Sequence, residues 1–348
     1  MKSRISKLQE YISKNEMDGA LITRKENLFY FTGSSLVLGG YLLITPHDAT
    51  FFVPELEYEE ARETSKVPVE KFKKLDELYE TLKRFNVLGM EGSTSISFSN
   101  SLKEKSKIEE FKFLDDVIKE LRIIKTPEEI KVIEDACRIA DMAMMVALEE
   151  ISEGKTEREI AAKMEYVMKM NGADKVAFDT IIASGKRSAL PHGVASDKRI
   201  EKGDLVVIDE GAFYRHYNSD MTRTIVVGTP NERQKEIYEI VLEAQRKAVE
   251  AAKPGITAKD LDKIARDIIT EYGYGDKFIH SLGHGVGLQI HEWPRLSQTD
   301  ETVLREGMVV TIEPGIYIPN FGGVRIEDTI VITSNGARRL TKTERELI

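Results

Sequence analysis

Two segments in the second half of the chain carry an acidic residue at matching positions. The first reads GDLVVIDEG over 203–211, and the second reads GMVVTIEPG over 307–315. In each segment a short apolar run typical of a buried strand leads directly to an acid, Asp209 or Glu313. The pattern predicts two buried strands that each deliver one carboxylate at the same strand position.

Each of these strands is followed by a second apolar stretch that holds another acid. Asp220 lies in the stretch 217–227, and Glu327 lies in the stretch 324–332. Facing residues of a hairpin have Cβ atoms about 4.5–5.5 Å apart, so each hairpin is expected to hold two carboxylates on one face. One such acid alone would be interpreted as a solvated strand end. Four of them between apolar strands need compensating cations, which predicts two divalent metal ions.

Histidines are concentrated in the same half of the chain, where five of the six lie between His192 and His291. His284, within HSLGHGVG over 280–287, has a glycine on each side, which allows the close backbone approach expected at a ligand-bearing turn. These glycines lack the spacing of a dinucleotide-binding loop. Carboxylate oxygens with one imidazole suit Mn²⁺, Co²⁺, Zn²⁺ or Fe²⁺, and the single cysteine excludes a thiolate cluster. The expected metal ligands are Asp209, Asp220, His284, Glu313 and Glu327.

The elements that must position these acids are also repeated, about a hundred residues apart. In each copy a threonine is expected to cap a helix, an acid three residues later to complete a capping box, and a glycine to end the helix. The matched positions are Gly154, Thr156, Glu159 and Gly172 in the first copy, and Gly255, Thr257, Asp260 and Gly273 in the second. This repetition predicts two α-α-β-β halves related by a pseudo-two-fold axis.

Residues 1–122 precede the repeats and alternate helical with strand-like patterns. GYLLIT over 40–45 and ATFFVP over 49–54 flank a turn, which predicts a hairpin within a mixed sheet. Residue types suited to catalysis do not cluster here, so we interpret this part as a scaffold or assembly domain. Thr126 followed by Pro127 predicts a helix start near the boundary with a second domain, 123–348.

Composition limits the partners and the location. The formal net charge of −9 disfavours nucleic acid or an anionic membrane as a partner. No apolar run approaches the roughly 20 residues that span a bilayer. The charged N-terminus lacks the apolar core of a signal peptide, which predicts a cytoplasmic location. Cys137 shares an apolar helix face with Ile133 and Ala140, and we expect a buried, inert thiol.

These residues together resemble a known family. Residues 126–348 are similar to the pita-bread metallopeptidases, and residues 1–122 look like the N-terminal domain of the creatinase and prolidase branch. The resemblance is carried by the five expected metal ligands, by EPG over 313–315 and by GVRIED over 323–328. It implies an α/β (α+β) fold with a creatinase-like N-terminal domain followed by a pseudo-two-fold pita-bread catalytic domain. Glu210 departs from the family pattern, which usually has an apolar residue there, and strand alternation predicts that it faces away from the metals.

The resemblance implies a role for each site residue. Asp220 and Glu327 would bridge two divalent ions, of which Co²⁺ or Mn²⁺ are expected before Zn²⁺ or Fe²⁺. Asp209 would bind one ion, and His284 and Glu313 the other. A hydroxide shared by the ions would attack the peptide carbonyl, with Glu313 also shuttling the proton. His192 and His291 would stabilise the oxyanion, and His280, Arg295 and Arg325 would bind substrate.

The resemblance also implies the reaction and the assembly. Methionine aminopeptidases resemble only the second domain, and creatinases lack the metal ligands. The compact length and HEWPR over 291–295 favour the hydrolysis of Xaa-Pro dipeptides, in which Arg295 pairs with the terminal carboxylate or forms a surface ion pair. Two alternatives stay open, an Xaa-Pro aminopeptidase acting on longer peptides and a binding protein without turnover. The N-terminal domain is expected to form a homodimer.

Overall fold

The computed structural model describes residues 3–346, which fall into two units with separate cores, Met1–Arg122 and Ile123–Ile348. The helices up to this boundary are α1 Arg4–Lys14, α2 Lys25–Thr32, α3 Tyr58–Thr64, α4 Leu75–Leu82, α5 Ile96–Ser106 and α6 Asp115–Ile123. The strands of the first unit are β1 Gly19–Ile22, β2 Tyr41–Ile44, β3 Ala49–Pro54, β4 Val69–Phe72, β5 Val87–Met90 and β6 Glu110–Phe113.

The first unit is built on one six-stranded sheet in the order β4-β3-β2-β1-β5-β6. Strand β2 is antiparallel to both of its neighbours, β1 and β3. The other pairs, β3 with β4, β1 with β5 and β5 with β6, are parallel. The predicted mixed sheet is therefore confirmed. The hairpin between β2 and β3 closes where Thr45 Oγ1 accepts a hydrogen bond from the Asp48 N–H at 2.9 Å. Apolar side chains of β1, β5 and α4 form the core beneath the sheet.

The second unit contains four helices and thirteen strands within the described residues. The helices are α7 Pro127–Glu150, α8 Glu157–Met170, α9 Glu232–Ala251 and α10 Ala258–Glu271. The strands of the first half are β7 Lys175–Val176, β8 Ile181–Ser184, β9 Leu205–Glu210, β10 Ala212–Tyr214, β11 Tyr217–Asn218 and β12 Met221–Val226. Those of the second half are β13 Gly283–Gly285, β14 Glu292–Leu296, β15 Val309–Ile312, β16 Gly315–Ile318, β17 Gly322–Arg325, β18 Asp328–Ile332 and β19 Ala337–Arg339.

The helix starts differ between the two copies of the repeat. Thr156 and Glu159 form the predicted capping box at α8, in which each side chain accepts a hydrogen bond from the other residue's N–H. At α10, Thr257 accepts from the Asp260 N–H at 3.0 Å, but the Asp260 carboxylate accepts from the Thr257 hydroxyl instead of its N–H. The second capping box is therefore only half formed, because aspartate is one methylene shorter than glutamate.

Each half ends in a long antiparallel hairpin that is interrupted once. In the first half β9 pairs with β12 and β10 pairs with β11, and in the second half β15 pairs with β18 and β16 pairs with β17. Gly211 lies at the first interruption, where a Cβ atom would stand 2.1 Å from the Ser219 carbonyl oxygen. Only glycine permits this approach. The interruptions are the places where acidic side chains emerge from the hairpins.

A buried arginine joins the two hairpins from behind. Arg223 and Asp328 are both fully buried, and their side chains meet at 2.9 Å. The remaining N–H groups of Arg223 donate to the main-chain oxygens of Thr222, Glu327, Thr343 and Glu344. Because every donor of this guanidinium has an acceptor, the charge is compensated despite complete burial. The C-terminal segment is thereby attached to the strands that flank the acidic residues.

Among the helices of residues 3–346, none combines the length and the apolar character that crossing a bilayer requires.

Candidate metal centre

Three of the expected ligands converge on one point of the second unit. One carboxylate oxygen each of Asp220 and Glu327 and one ring nitrogen of His284 lie within 4.8 Å of one another. Asp220 lies between β11 and β12, Glu327 lies between β17 and β18, and His284 is the central residue of β13. Both acids are buried, and the histidine is half-buried. This arrangement is the core of a candidate metal centre.

The strand register brings the remaining two acids to the same face. Asp209 pairs with Thr222, and Asp220 lies two residues before Thr222, on the same side of the strand by alternation. In the second hairpin the register continues through the interruption and sets Glu313 opposite Glu327. Asp209 and Glu313 therefore occupy equivalent positions, as the sequence repeat predicts. Asp220 and Glu327 do not occupy equivalent positions, since Thr222 is the residue that corresponds to Glu327.

The protonation of His284 leaves a nitrogen ready for a metal ion. Its Nδ1 lies 3.1 Å from the Gly285 carbonyl oxygen, which can only accept, so Nδ1 carries the proton. Nε2 faces Glu313 at 3.3 Å and Asp220 at 3.5 Å. Burial and the neighbouring His291 lower the pKa of His284 to about 3, so the ring is neutral at physiological pH. The free electron pair of Nε2 therefore points between the two carboxylates.

Burial and the neighbouring carboxylates raise the pKa of three of these acids. Burial, followed by the charge of Glu327, raises the pKa of Asp220 well above its ordinary value. Burial and Glu313 have the same effect on Glu327. Burial also raises the pKa of Glu313 to about 7, with Asp209 adding to the rise and Arg325 opposing it. These acids are therefore poorly compensated by the protein alone.

Asp209 is compensated on one side by a buried arginine. The Arg325 guanidinium pairs with Asp209 Oδ2, and its Nε donates to the Thr222 hydroxyl at 3.0 Å. Its Nη1 donates to the Tyr317 hydroxyl at 2.9 Å and to the Pro191 carbonyl oxygen at 3.1 Å. The side chain is 4% exposed. Arg325 thus lies behind Asp209 with its donors engaged by protein groups, which does not favour the predicted contact with a substrate carboxylate.

Two carboxylate oxygens of the cluster indicate whether the site fits metal ions. Asp209 Oδ1 and Glu327 Oε1 are buried and have no hydrogen-bond partner among residues 3–346. A buried carboxylate oxygen without a partner carries an uncompensated desolvation cost, which a cation would remove. The donor set of four carboxylates and one imidazole is the set that Mn²⁺, Co²⁺, Zn²⁺ and Fe²⁺ accept. The residues present therefore fit divalent metal ions.

The other histidines border this cluster in different ways. The His291 ring packs edge-on against the His284 ring with centroids 4.3 Å apart, and burial and the nearby His192 lower the pKa of His291. His192 and His291 are both exposed. His280 is turned towards the protein, because its Nδ1 donates to the Ser281 carbonyl oxygen at 2.8 Å and its Nε2 accepts from the Tyr317 hydroxyl at 2.9 Å. His192 and His291 are thus the histidines accessible to a substrate.

Arg295 lies on β14 directly opposite His284 in the strand register. Its side chain is exposed, and its Nε donates to the Ser281 hydroxyl at 2.9 Å. Residues paired on neighbouring strands project from the same face of the sheet. Arg295 is therefore placed at the open side of the cluster, unlike Arg325.

Glu210 lies on the opposite face of β9 from Asp209. It is fully buried, and within the described part of the chain neither of its carboxylate oxygens has a hydrogen-bond partner. Burial and Asp141 of α7 raise its pKa well above the ordinary value. The neutral acid is therefore the form compatible with this environment. Cys137 of α7 is buried in the same region, as expected.

Sequence reasoning missed the residues that hold the ligands. Thr311 donates to Glu313 at 3.2 Å, Thr222 donates to Glu327 at 2.7 Å, and Tyr317 connects Arg325 with His280. Strand alternation could have indicated two of them, since Thr311 and Tyr317 share the parity of Glu313. The partner of Thr222 lies 105 residues away and leaves no local pattern.

The family is shown by comparison with known proteins. Residues 131–334 match metallopeptidase family M24, and residues 4–124 match the creatinase/prolidase N-terminal domain. The chain therefore belongs to metallopeptidase family M24, and the family resemblance predicted from its motifs is confirmed.

Relatives of this chain include proteins named for two different activities. It is 70% identical over 348 residues to an Xaa-Pro dipeptidase of Pyrococcus furiosus, and the match covers 100% of both chains. A solved prolidase from Pyrococcus horikoshii is 69% identical, with a TM-score of 0.98 over 99% of each chain. A solved X-Pro aminopeptidase from Thermotoga maritima is 38% identical, with a TM-score of 0.92 over 100% of this chain and 99% of the other. These matches confirm the predicted fold.

Metal binding to the metal-free protein should release protons, because raised pKa values mean that ligand carboxylates hold protons that a cation must displace. For Glu313, with a pKa of about 7, release is expected at pH 6 and should fade above pH 8, so the apparent affinity should rise with pH. The measurement is a calorimetric titration with Mn²⁺ in two buffers that differ in ionisation enthalpy. Equal heats in both buffers at pH 6 would contradict the prediction.

Proposed function

We propose that this chain is a metal-dependent Xaa-Pro dipeptidase. The observation that carries the proposal is the cluster of carboxylates around a neutral His284. Two of these carboxylates, Asp209 and Glu327, each have a buried oxygen with no hydrogen-bond partner among the described residues. The relatives from Pyrococcus named Xaa-Pro dipeptidase and prolidase, each matching nearly the whole chain, support this reaction over others in the family.

Asp209, Asp220, His284, Glu313 and Glu327 would hold two divalent ions. Co²⁺ or Mn²⁺ are the ions we expect first, and Zn²⁺ or Fe²⁺ also suit the donor set. Bound ions would supply a nucleophilic hydroxide at neutral pH and polarise the peptide carbonyl. Arg325 pairs with Asp209, and its contacts with Thr222 and Tyr317 fix the orientation of this pair.

The chain's own residues would handle the proton and the developing charge. Hydrolysis forms a bond between the water oxygen and the carbonyl carbon, breaks the bond to the proline nitrogen, and moves a proton from water to that nitrogen. Glu313 is the proposed carrier, since it borders the cluster beside His284. His192 and His291 would donate hydrogen bonds to the oxyanion.

The substrate's terminal carboxylate would meet Arg295 rather than Arg325. Arg295 is exposed opposite His284, whereas Arg325 is buried against Asp209. His280 would act on the substrate only indirectly, since its two ring nitrogens contact Ser281 and Tyr317. We therefore assign the carboxylate contact to Arg295 and retain His280 and Arg325 as supports of the pocket.

An Xaa-Pro aminopeptidase acting on longer peptides is the second candidate. The match to the X-Pro aminopeptidase of Thermotoga maritima covers the whole chain and supports it. A binding protein without turnover is disfavoured, because the chain keeps all five residues that are expected as metal ligands.

We further propose a cytoplasmic homodimer assembled through residues 1–122. Large apolar side chains exposed in this unit support an interface. They are Val37, Leu38, Leu56, Ile96 and Phe113.

Two metal ions should be required for activity. Chelation should abolish hydrolysis of an Xaa-Pro dipeptide, and Co²⁺ or Mn²⁺ should restore it with two ions per chain by elemental analysis. Asp220→Ala should lower kcat by about a thousandfold or more, because bound metal ions would supply several kcal/mol of transition-state stabilisation and Asp220 is one of the residues that would hold them. Asp276→Ala, which removes an exposed acid of the same unit, should leave activity and metal content unchanged. Full activity of the metal-free protein would refute this mechanism.

Arg295→Ala should weaken hydrolysis of dipeptides far more than hydrolysis of tripeptides. A hydrogen bond to a charged group contributes about 1.5–3 kcal/mol, which corresponds to roughly a tenfold to hundredfold loss in kcat/KM for the dipeptide. Arg295→Lys keeps the charge and should recover part of that loss. Equal losses on both substrates would show a structural role, and efficient cleavage of tripeptides by the native protein would favour the aminopeptidase.

The assembly is tested by sedimentation of the intact protein. A homodimer should sediment with twice the chain mass of 39.4 kDa at micromolar concentration. A single species with the mass of one chain under these conditions would contradict the proposal.

A further inference from the structure

The segment 185–196, which carries His192, is attached to one buried carboxylate through Ser184, the residue before it, and through its last residue, Ser196. Glu157 Oε1 accepts hydrogen bonds from the main-chain N–H and the hydroxyl of Ser184, both at 2.8 Å. Its Oε2 accepts from the N–H of Ser196 at 3.0 Å and from the Ser196 hydroxyl at 2.6 Å. Glu157 is fully buried at the first position of α8. A segment of twelve residues is thereby closed on a single side chain.

An arginine within the segment strengthens this attachment. Arg187 Nε lies 3.1 Å from Glu157 Oε2 and donates to it, and Arg187 Nη2 donates to the Val194 carbonyl oxygen at 2.7 Å. The guanidinium therefore connects the buried carboxylate with the main chain two residues beyond His192. Hydrogen bonds between charged groups of this kind are about twice as strong as neutral ones.

The middle of the segment is held from the side of the metal centre. The Ser188 hydroxyl accepts from the Gly323 N–H at 2.9 Å, and Arg325 donates to the carbonyl oxygen of Pro191, the residue before His192. Arg325 is also the partner of Asp209. Together with the attachment to Glu157, these contacts leave the main chain around His192 little freedom although its side chain is exposed.

We propose that Glu157 is a positioning residue that holds the segment 185–196 so that His192 reaches the reacting carbonyl. This inference rests on the role of His192 in the proposed function. Every group that faces the Glu157 carboxylate is a hydrogen-bond donor. A glutamine of the same size would turn an amide N–H₂ towards those donors and leave the charge of Arg187 unpaired, so an amide cannot replace the carboxylate without loss of contacts.

The test is a double-mutant cycle between Glu157→Gln and His192→Ala, measured on an Xaa-Pro dipeptide with the metal-loaded protein. A displacement of about 1 Å can cost a hundredfold in rate, so Glu157→Gln should lower kcat by roughly 10- to 100-fold, with metal content unchanged. In the presence of His192→Ala, the further loss from Glu157→Gln should be less than about threefold, because the residue that it positions is absent. KM should change little, since the contact acts in the transition state.

The matched control is Glu159→Gln, which removes a carboxylate from the same first turn of α8. Glu159 binds Thr156 rather than the segment, so kcat should be unchanged. Hydrogen exchange of peptides from 185–196 should accelerate in Glu157→Gln and stay slow in Glu159→Gln. If Glu157→Gln does not fold, Ser196→Ala removes one hydroxyl contact and should show a smaller loss with the same dependence on His192.

Three results would overturn the inference. They are an unchanged kcat in Glu157→Gln, losses that simply multiply in the double variant, and unaltered hydrogen exchange of the segment. A His192→Ala variant with native kcat would refute the role of His192 and with it the positioning role of Glu157. The dipeptidase assignment would stand in every one of these cases, because it is judged from the native protein and its metal requirement.

Discussion

The buried carboxylates of Asp209, Asp220 and Glu327 and the half-buried carboxylate of Glu313 gather around His284, and their mutual repulsion is the main electrostatic constraint on this site. Two like charges about 4 Å apart repel by about 4 kcal/mol at an effective dielectric constant near 20. A few such pairs would offset the about 5–15 kcal/mol by which domains are typically stable. The repulsion is relieved by protonation, by a neighbouring arginine or by metal ions. The raised pKa values of Asp220, Glu313 and Glu327 indicate that Arg325 alone is insufficient.

Two buried arginines form ion pairs with acids on different sides of the strands. Arg325 lies on the ligand side and pairs with Asp209, whereas Arg223 lies behind the strands and pairs with Asp328. Arg325 contacts an expected metal ligand directly. Arg223 connects the strands beside Asp220 and Glu327 to the C-terminal segment. The strands beside the acidic cluster are thus held by an ion pair and hydrogen bonds that lie outside the cluster.

The sequence predicted the parts of the site that have a local pattern. The apolar runs before Asp209 and Glu313 identified strands that the structure contains. The turn predicted from the glycines around His284 was wrong, since His284 lies in the short strand β13, where the glycines allow close approach of the neighbouring strands. Contacts between distant segments left no such pattern, so the pairing of Arg325 with Asp209 was missed and Arg325 was expected to bind substrate. The same holds for Glu157, which appears in the sequence only as an acid in the first turn of a helix. Residues positioned through register and long-range hydrogen bonds require the folded chain.

The pseudo-two-fold relation explains why the centre is not symmetric. With Asp209 equivalent to Glu313, the register makes Asp220 equivalent to Arg325, and Arg223 equivalent to Asp328. Arg223 and Asp328 form an ion pair with each other, and Thr222 donates to its counterpart Glu327 at 2.7 Å. Equivalent positions therefore carry complementary groups that meet near the axis. Acids at both members of these equivalent pairs would have added repulsion there, so the divergence of the two halves limits the repulsion at the shared centre.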